Sequence, residues 1–131
     1  MSKETIRVPG ISDGLERAKV PLSPAVKANG FVLVSGIPPM DVETGEIVGG
    51  DIVSQTRRSI EAVRHVLEAA GSSLDKVVKV TLYITNSAYF PTVNEIYREY
   101  FGAQPPARTF VTVASWPLEF DVEIECVALA D

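Results

Sequence analysis

The run 77–85, VVKVTLYIT, constrains the fold more than any other segment of the chain. It is rich in β-branched and apolar residues, and its length suits a strand. Apolar residues at both Val77 and Val78 put hydrophobic surface on both faces of that strand. Amphipathic helical patterns flank it. In the first, Asp51 is placed to cap a helix reaching about Ala70, with Ile52, Ile60, Val63, Val66, Leu67 and Ala70 on one face. Arg57, Glu61, Arg64 and Glu68 fall on another face at the spacing of i,i+4 ion pairs, and Gly71 supplies the stop. In the second, 89–101, Phe90, Val93, Tyr97 and Phe101 recur every three or four residues, and Pro91 sits in the first turn, where proline is tolerated.

The remaining segments extend a sheet. Residues 31–34 form a short apolar strand entered from Asn29-Gly30 and closed by Ser35-Gly36. Glu43-Thr44-Gly45 reads as a turn within the polar stretch 41–50. Residues 108–114 and 121–130 read as two strands joined near Trp116-Pro117. In the last, Val122, Ile124, Cys126 and Ala128 share one face, and Glu123, Glu125, Val127 and Leu129 share the other. The first 24 residues read as a short strand at 5–8 plus loop. The order is β-β-α-β-α-β-β, an α+β single domain over 1–131 with two helices on one face of a mixed sheet. The opposite face, also apolar, needs a partner, and self-association supplies one.

Composition removes whole classes of function. The chain is 46% hydrophobic and 22% charged, which fits a packed domain rather than a disordered one. Seventeen acidic residues against 12 basic ones give a net charge of -5, which argues against a nucleic-acid partner. No stretch approaches the roughly 20 apolar residues that cross a bilayer, and no signal-peptide pattern opens the sequence. With a single cysteine there is no intrachain disulfide, so a reducing, cytoplasmic setting is expected. There is no phosphate-binding loop, dinucleotide fingerprint or CxxC pair. The single histidine, His65, reads as a boundary residue of the first helix, and Cys126 as a packed thiol. Neither a metal nor a cofactor is called for, so any catalysis rests on Arg, Glu, Tyr, Asn, Ser, backbone groups and water.

The sharpest local feature is Gln104-Pro105-Pro106-Ala107-Arg108-Thr109. Two prolines restrict the backbone immediately before a strand that an arginine opens. On its own the arginine reads either as a surface residue after a turn or as a pre-positioned guanidinium, whose planar fork suits a carboxylate. Other pieces stand in order around it: Pro24-Ala25-Val26, Val34-Ser35-Gly36, Thr44-Gly45-Glu46, Gln55 in the first helix, and Glu68-Ala69-Ala70-Gly71. Phe90, Asn94 and Tyr97, then Pro106-Ala107-Arg108, then Val122-Glu123-Ile124-Glu125 complete the set. No single piece is specific. The ordered set, running over residues 21–131, resembles the RidA/YjgF family.

That resemblance implies a chorismate-mutase-like subunit assembled as a homotrimer, with sites in the clefts between subunits. It implies hydrolysis of reactive 2-imino and 2-enamino acids, such as 2-aminoacrylate, to 2-keto acids and ammonia. Carried over onto this chain, Arg108 holds the substrate carboxylate and Glu123 handles the attacking water. Gly36 and Ser35 line the site, Asn94 offers a polar contact and Phe90 a wall. Two positions depart from the family pattern: Leu22 stands where many members have Tyr, and Phe110 where many have Cys. Both make the pocket more apolar and leave the substrate's side chain open. Three other readings stand beside it: a pathway-specific deaminase of an aminomuconate-like enamine and a ribonuclease, both of which occur among relatives, and, as a different class, a non-catalytic sensor of small keto or amino acids. The charge balance speaks against the ribonuclease.

Overall fold

The computed structural model describes residues 2–131. Its elements are β1 (Glu4–Ile6), α1 (Ile11–Ala18), β2 (Ala25–Ala28), β3 (Phe31–Ile37), α2 (Ile52–Ala69), β4 (Val77–Ile84), α3 (Phe90–Phe101), β5 (Ala107–Thr112) and β6 (Val122–Leu129). The strands form one sheet in the order β1-β2-β3-β6-β4-β5. Among the described residues only β4 and β5 pair in parallel, and α3 is the crossover that joins them. The α+β architecture and the mixed sheet expected from the sequence are both present.

Helix α2 forms as its sequence dictates. The Asp51 carboxylate accepts the Ser54 N–H at 2.8 Å, satisfying a donor that the first turn leaves free. Ile60, Val63, Val66 and Leu67 are fully buried in one core with Val32, Val34, Val80, Leu82, Ile124 and Ala128 of the sheet. Helix α3 adds Val93, Ile96, Tyr97 and Phe101 to the same core. One sheet face is thus covered by α2 and α3, as the alternation of β6 predicts. His65 is half-buried on α2, at the boundary.

The ion pairs of α2 are not the i,i+4 pairs expected. Arg57 reaches across to Glu99 of α3 with both nitrogens at 2.9 Å, and Arg64 pairs with Glu61 three residues back. The neighbouring helix offers Arg57 a carboxylate in bidentate geometry, which a residue on its own helix does not match.

The N-terminal segment holds more structure than a strand and loop. The strand is Glu4–Ile6 rather than 5–8, and α1 and β2 follow it. Helix α1 has only eight residues, so its amphipathic pattern, although strong, runs for barely two turns. Gly14 lets α1 lie close against the 41–45 loop, where a Cβ would come within 3.1 Å of the Thr44 carbonyl oxygen. Strand β2 is the first arm of a hairpin with β3. Asn29 and Gly30 have φ of 52° and 84° and sit between the paired Ala28 and Phe31, as a tight two-residue turn requires.

The second sheet face is open. Phe31 opposite Leu129 and Leu33 opposite Val127 form an apolar ladder on it, with Phe31, Leu33 and Leu129 exposed. Among the described residues no helix is long and apolar enough to cross a membrane.

Candidate active site

Arg108 is the second residue of β5, the edge strand, and pairs with Val80, which in turn pairs with Cys126. That register sends its side chain to the helix-covered side, beneath α3. Its guanidinium lies 4.8 Å from the centre of the Tyr97 ring and 5.8 Å from each of the Phe90 and Phe110 rings. Phe90 and Phe110 meet edge to face at 4.8 Å. Three ring faces stabilise the cation without neutralising it. None of the ion pairs among the described residues involves Arg108.

Two further polar atoms converge on this cleft of about 340 Å³, which Asn94, Tyr97, Arg98, Pro105, Pro106 and Arg108 line. The Asn94 Oδ1 and the Tyr97 hydroxyl are buried without a hydrogen-bond partner among the described residues. Buried polar atoms are nearly always satisfied, so an unsatisfied pair beside an unpaired cation marks a place for a polar ligand. Burial pushes the Tyr97 phenol up to about 12 despite the opposing pull of Arg108, so it remains a neutral donor at physiological pH.

Glu123 belongs to a different place. It pairs with Tyr83 on β4 and therefore projects from the open face, together with Glu125. The Glu125 carboxylate accepts a hydrogen bond from the Tyr83 hydroxyl. Glu123 lies over the β3 backbone at the irregularity between Val34 and Ile37. A Cβ at Gly36 would stand 2.6 Å from its Oε2, so the glycine is what admits the carboxylate. Burial, followed by repulsion from Glu125, holds the Glu123 carboxyl above the usual carboxylate range, and the Trp116 side chain opposes them.

Ser35 braces this second half. Its hydroxyl donates to the Ser23 carbonyl at 2.7 Å and its N–H to the Pro24 carbonyl at 2.9 Å, fastening the loop that carries Leu22. The hydroxyl proton is therefore engaged within the fold. Leu22 is exposed and shares an apolar chamber of about 380 Å³ with Gly36 and Glu123. The expected site residues thus fall into two groups, Arg108, Asn94, Phe90 and Phe110 on one side and Glu123, Gly36, Ser35 and Leu22 on the other. The sheet separates them.

The endoribonuclease L-PSP family model matches residues 15–130. The chain belongs to this family, the RidA/YjgF family. A RutC family protein of Pyrococcus abyssi is 47% identical over 116 residues, covering 86% of this chain and 91% of that protein. The chloroplastic Reactive Intermediate Deaminase A of Arabidopsis thaliana is 42% identical over 108 residues, covering 82% of this chain and 58% of that one. Among solved structures, E. coli TdcF with bound serine superposes with a TM-score of 0.81 at 35% identity, covering 96% of this chain and 98% of that chain.

Within this RidA-family chain, the sequence reading missed the Tyr97 hydroxyl and the chamber wall at Trp116 and Leu118. Tyr97 shows helical spacing with Phe90, Val93 and Phe101, which marks it as core. Its ring does belong to the core, and only the position of its hydroxyl brings it to the cleft beside Arg108. Cys126 is the packed thiol expected, with burial holding it up at about 12.

Proposed function

We propose that this chain is a hydrolytic deaminase that converts 2-imino and 2-enamino acids to 2-keto acids and ammonia. It acts as a homotrimer in which the Arg108 half of one subunit meets the Glu123 half of the next. The observation that carries this reading is the unpaired Arg108 guanidinium, held by three aromatic rings beside two unsatisfied polar atoms. Its fork suits a carboxylate, and membership of a family that includes a reactive-intermediate deaminase supports this chemistry. The relative that binds serine supports a small amino-acid-like ligand.

The reaction follows from the groups present. Arg108 pairs with the substrate carboxylate and fixes the C=N carbon in place. Glu123, with its raised proton affinity, takes a proton from water as the oxygen bonds to that carbon. The C=N electron pair moves onto the nitrogen of the protonated imine, and the same proton, returned to that nitrogen, makes it an ammonium leaving group. As the C–N bond breaks and ammonia departs, the remaining hydroxyl proton passes to the Glu123 carboxylate and from there to solvent, and the carbon is left as a ketone. Asn94 and Tyr97 hold the polar end of the ligand, with Phe90 and Phe110 as its walls. Gly36 and Ser35 keep the Glu123 side open and in position, and Leu22 borders the substrate's side chain.

The apolar Phe31–Leu129 and Leu33–Val127 ladder supports the assembly, because an exposed patch of that kind is buried when copies associate. The buried free thiol of Cys126 is compatible with a cytoplasmic location. A net charge of -5 disfavours the ribonuclease activity that the family description names.

The test is a coupled assay in which an amino-acid oxidase generates 2-imino acids and the decay of each is followed. The expected result is acceleration by the wild type and its loss in Arg108→Ala. Absence of acceleration with every imine would overturn the reading.

A further inference from the structure

We infer that the chamber beside Glu123 selects imino acids with a large apolar side chain. The inference rests on the deaminase reading and adds the substrate class. The chamber of about 380 Å³ is walled by Ile11, Leu15, Leu22, Met40, Trp116 and Leu118, among others, with Gly36 and Glu123 on one side. Glu123 is the only ionisable side chain in that lining. Charge and hydrogen-bonding capacity are instead concentrated in the Arg108 cleft, where Asn94, Tyr97 and Arg98 stand.

A 2-imino acid has the same division. Its carboxylate and its side chain leave the reacting carbon in different directions, and water must reach that carbon from Glu123. With the carboxylate on Arg108 and the carbon near Glu123, the side chain is directed into the apolar chamber. A methyl or hydroxymethyl group would leave most of that volume to water against hydrocarbon. An isobutyl or benzyl group would displace it, and each buried methylene multiplies affinity by roughly fourfold.

Leu118 and Leu22 are 60% and 45% exposed, so they border the chamber without supporting the core. They can be changed without loss of the fold. The experiment compares kcat/KM of the assembled protein for the imines of alanine, leucine and phenylalanine, in wild type and in the double variant Leu22→Ser, Leu118→Ser. The inference predicts a preference for the leucine- and phenylalanine-derived imines of about tenfold or more. It also predicts that the large-to-small ratio falls several-fold in the variant. Turnover without a size preference, or a preference for the alanine-derived imine, would overturn the inference while the deaminase reading stands. Turnover of none would overturn that reading and the inference with it.

Discussion

Arg108 and Glu123 project from opposite faces of the same sheet. Val80 of β4 pairs with Arg108 on one side and Cys126 on the other, while Tyr83, three residues along, pairs with Glu123. Strand alternation therefore sends the two side chains apart, with β4 standing between their strands. No side-chain rotation brings them together within one chain. If both serve one reaction, two copies must supply them, and the geometry yields predictions for each half.

Removal of the Tyr97 hydroxyl tests the Arg108 half. The hydroxyl is buried without a partner in the free protein, so Tyr97→Phe removes no intramolecular hydrogen bond. Thermal unfolding is expected at an unchanged or slightly higher temperature. Ligand binding is expected to weaken by about 1 kcal/mol, the usual net value of one hydrogen bond, seen as a roughly fivefold rise in the dissociation constant of a 2-keto acid. A lowered melting temperature with unchanged binding would make Tyr97 a structural residue only.

Gly36 tests the other half. In Gly36→Ala the new methyl must displace the Glu123 carboxylate, the nearest atom at 2.6 Å. Restoring contact distance moves the carboxylate by about 1 Å, and a misplacement of that size costs about 100-fold in rate. The expected outcome is a fall in kcat with KM for the carboxylate substrate little changed, because Arg108 is untouched. Steady-state kinetics and a circular-dichroism spectrum together check it.

The raised affinity of Glu123 for its proton has a consequence for stability. A carboxyl whose folded pKa lies above its unfolded value binds more protons when folded, so stability falls as pH rises from the ordinary carboxylate pKa through the raised one. Glu123→Gln removes that loss and is expected to be more stable than wild type at neutral pH, with the advantage vanishing below pH 4. Denaturant unfolding across pH measures this. The acid limb of the activity profile should shift down in Glu125→Gln, which removes the neighbouring charge that helps raise Glu123.

Much of this architecture is legible in the residues. Helix α2 carries its cap at Asp51 and its core stripe on the surface of the sequence, and the alternation of β6 separates Ile124 from Glu123 without reference to any structure. Helix α1 stayed hidden because its eight residues give an amphipathic pattern barely two turns long, and because Gly14, which lowers helix propensity, suits the close approach of the 41–45 loop, a tertiary contact. The β2 arm was too short to show alternation, although its Asn29-Gly30 turn was in view. Arg108 and Glu123 both stand out as candidates through the motifs that carry them. Their placement on opposite faces emerges from the pairing of β5 and β6 through β4, a register that no local pattern encodes.

The most direct test of a site shared between subunits is complementation between two inactive variants. Arg108→Ala keeps the Glu123 half and Glu123→Gln keeps the Arg108 half. In a ring of three with head-to-tail contacts, random mixing in equal amounts leaves about one site in four intact, so about a quarter of wild-type activity should return. Recovery near that level in oligomers that contain both variants is the result predicted here. Mixed oligomers with no activity beyond that of the separate variants would contradict the shared site.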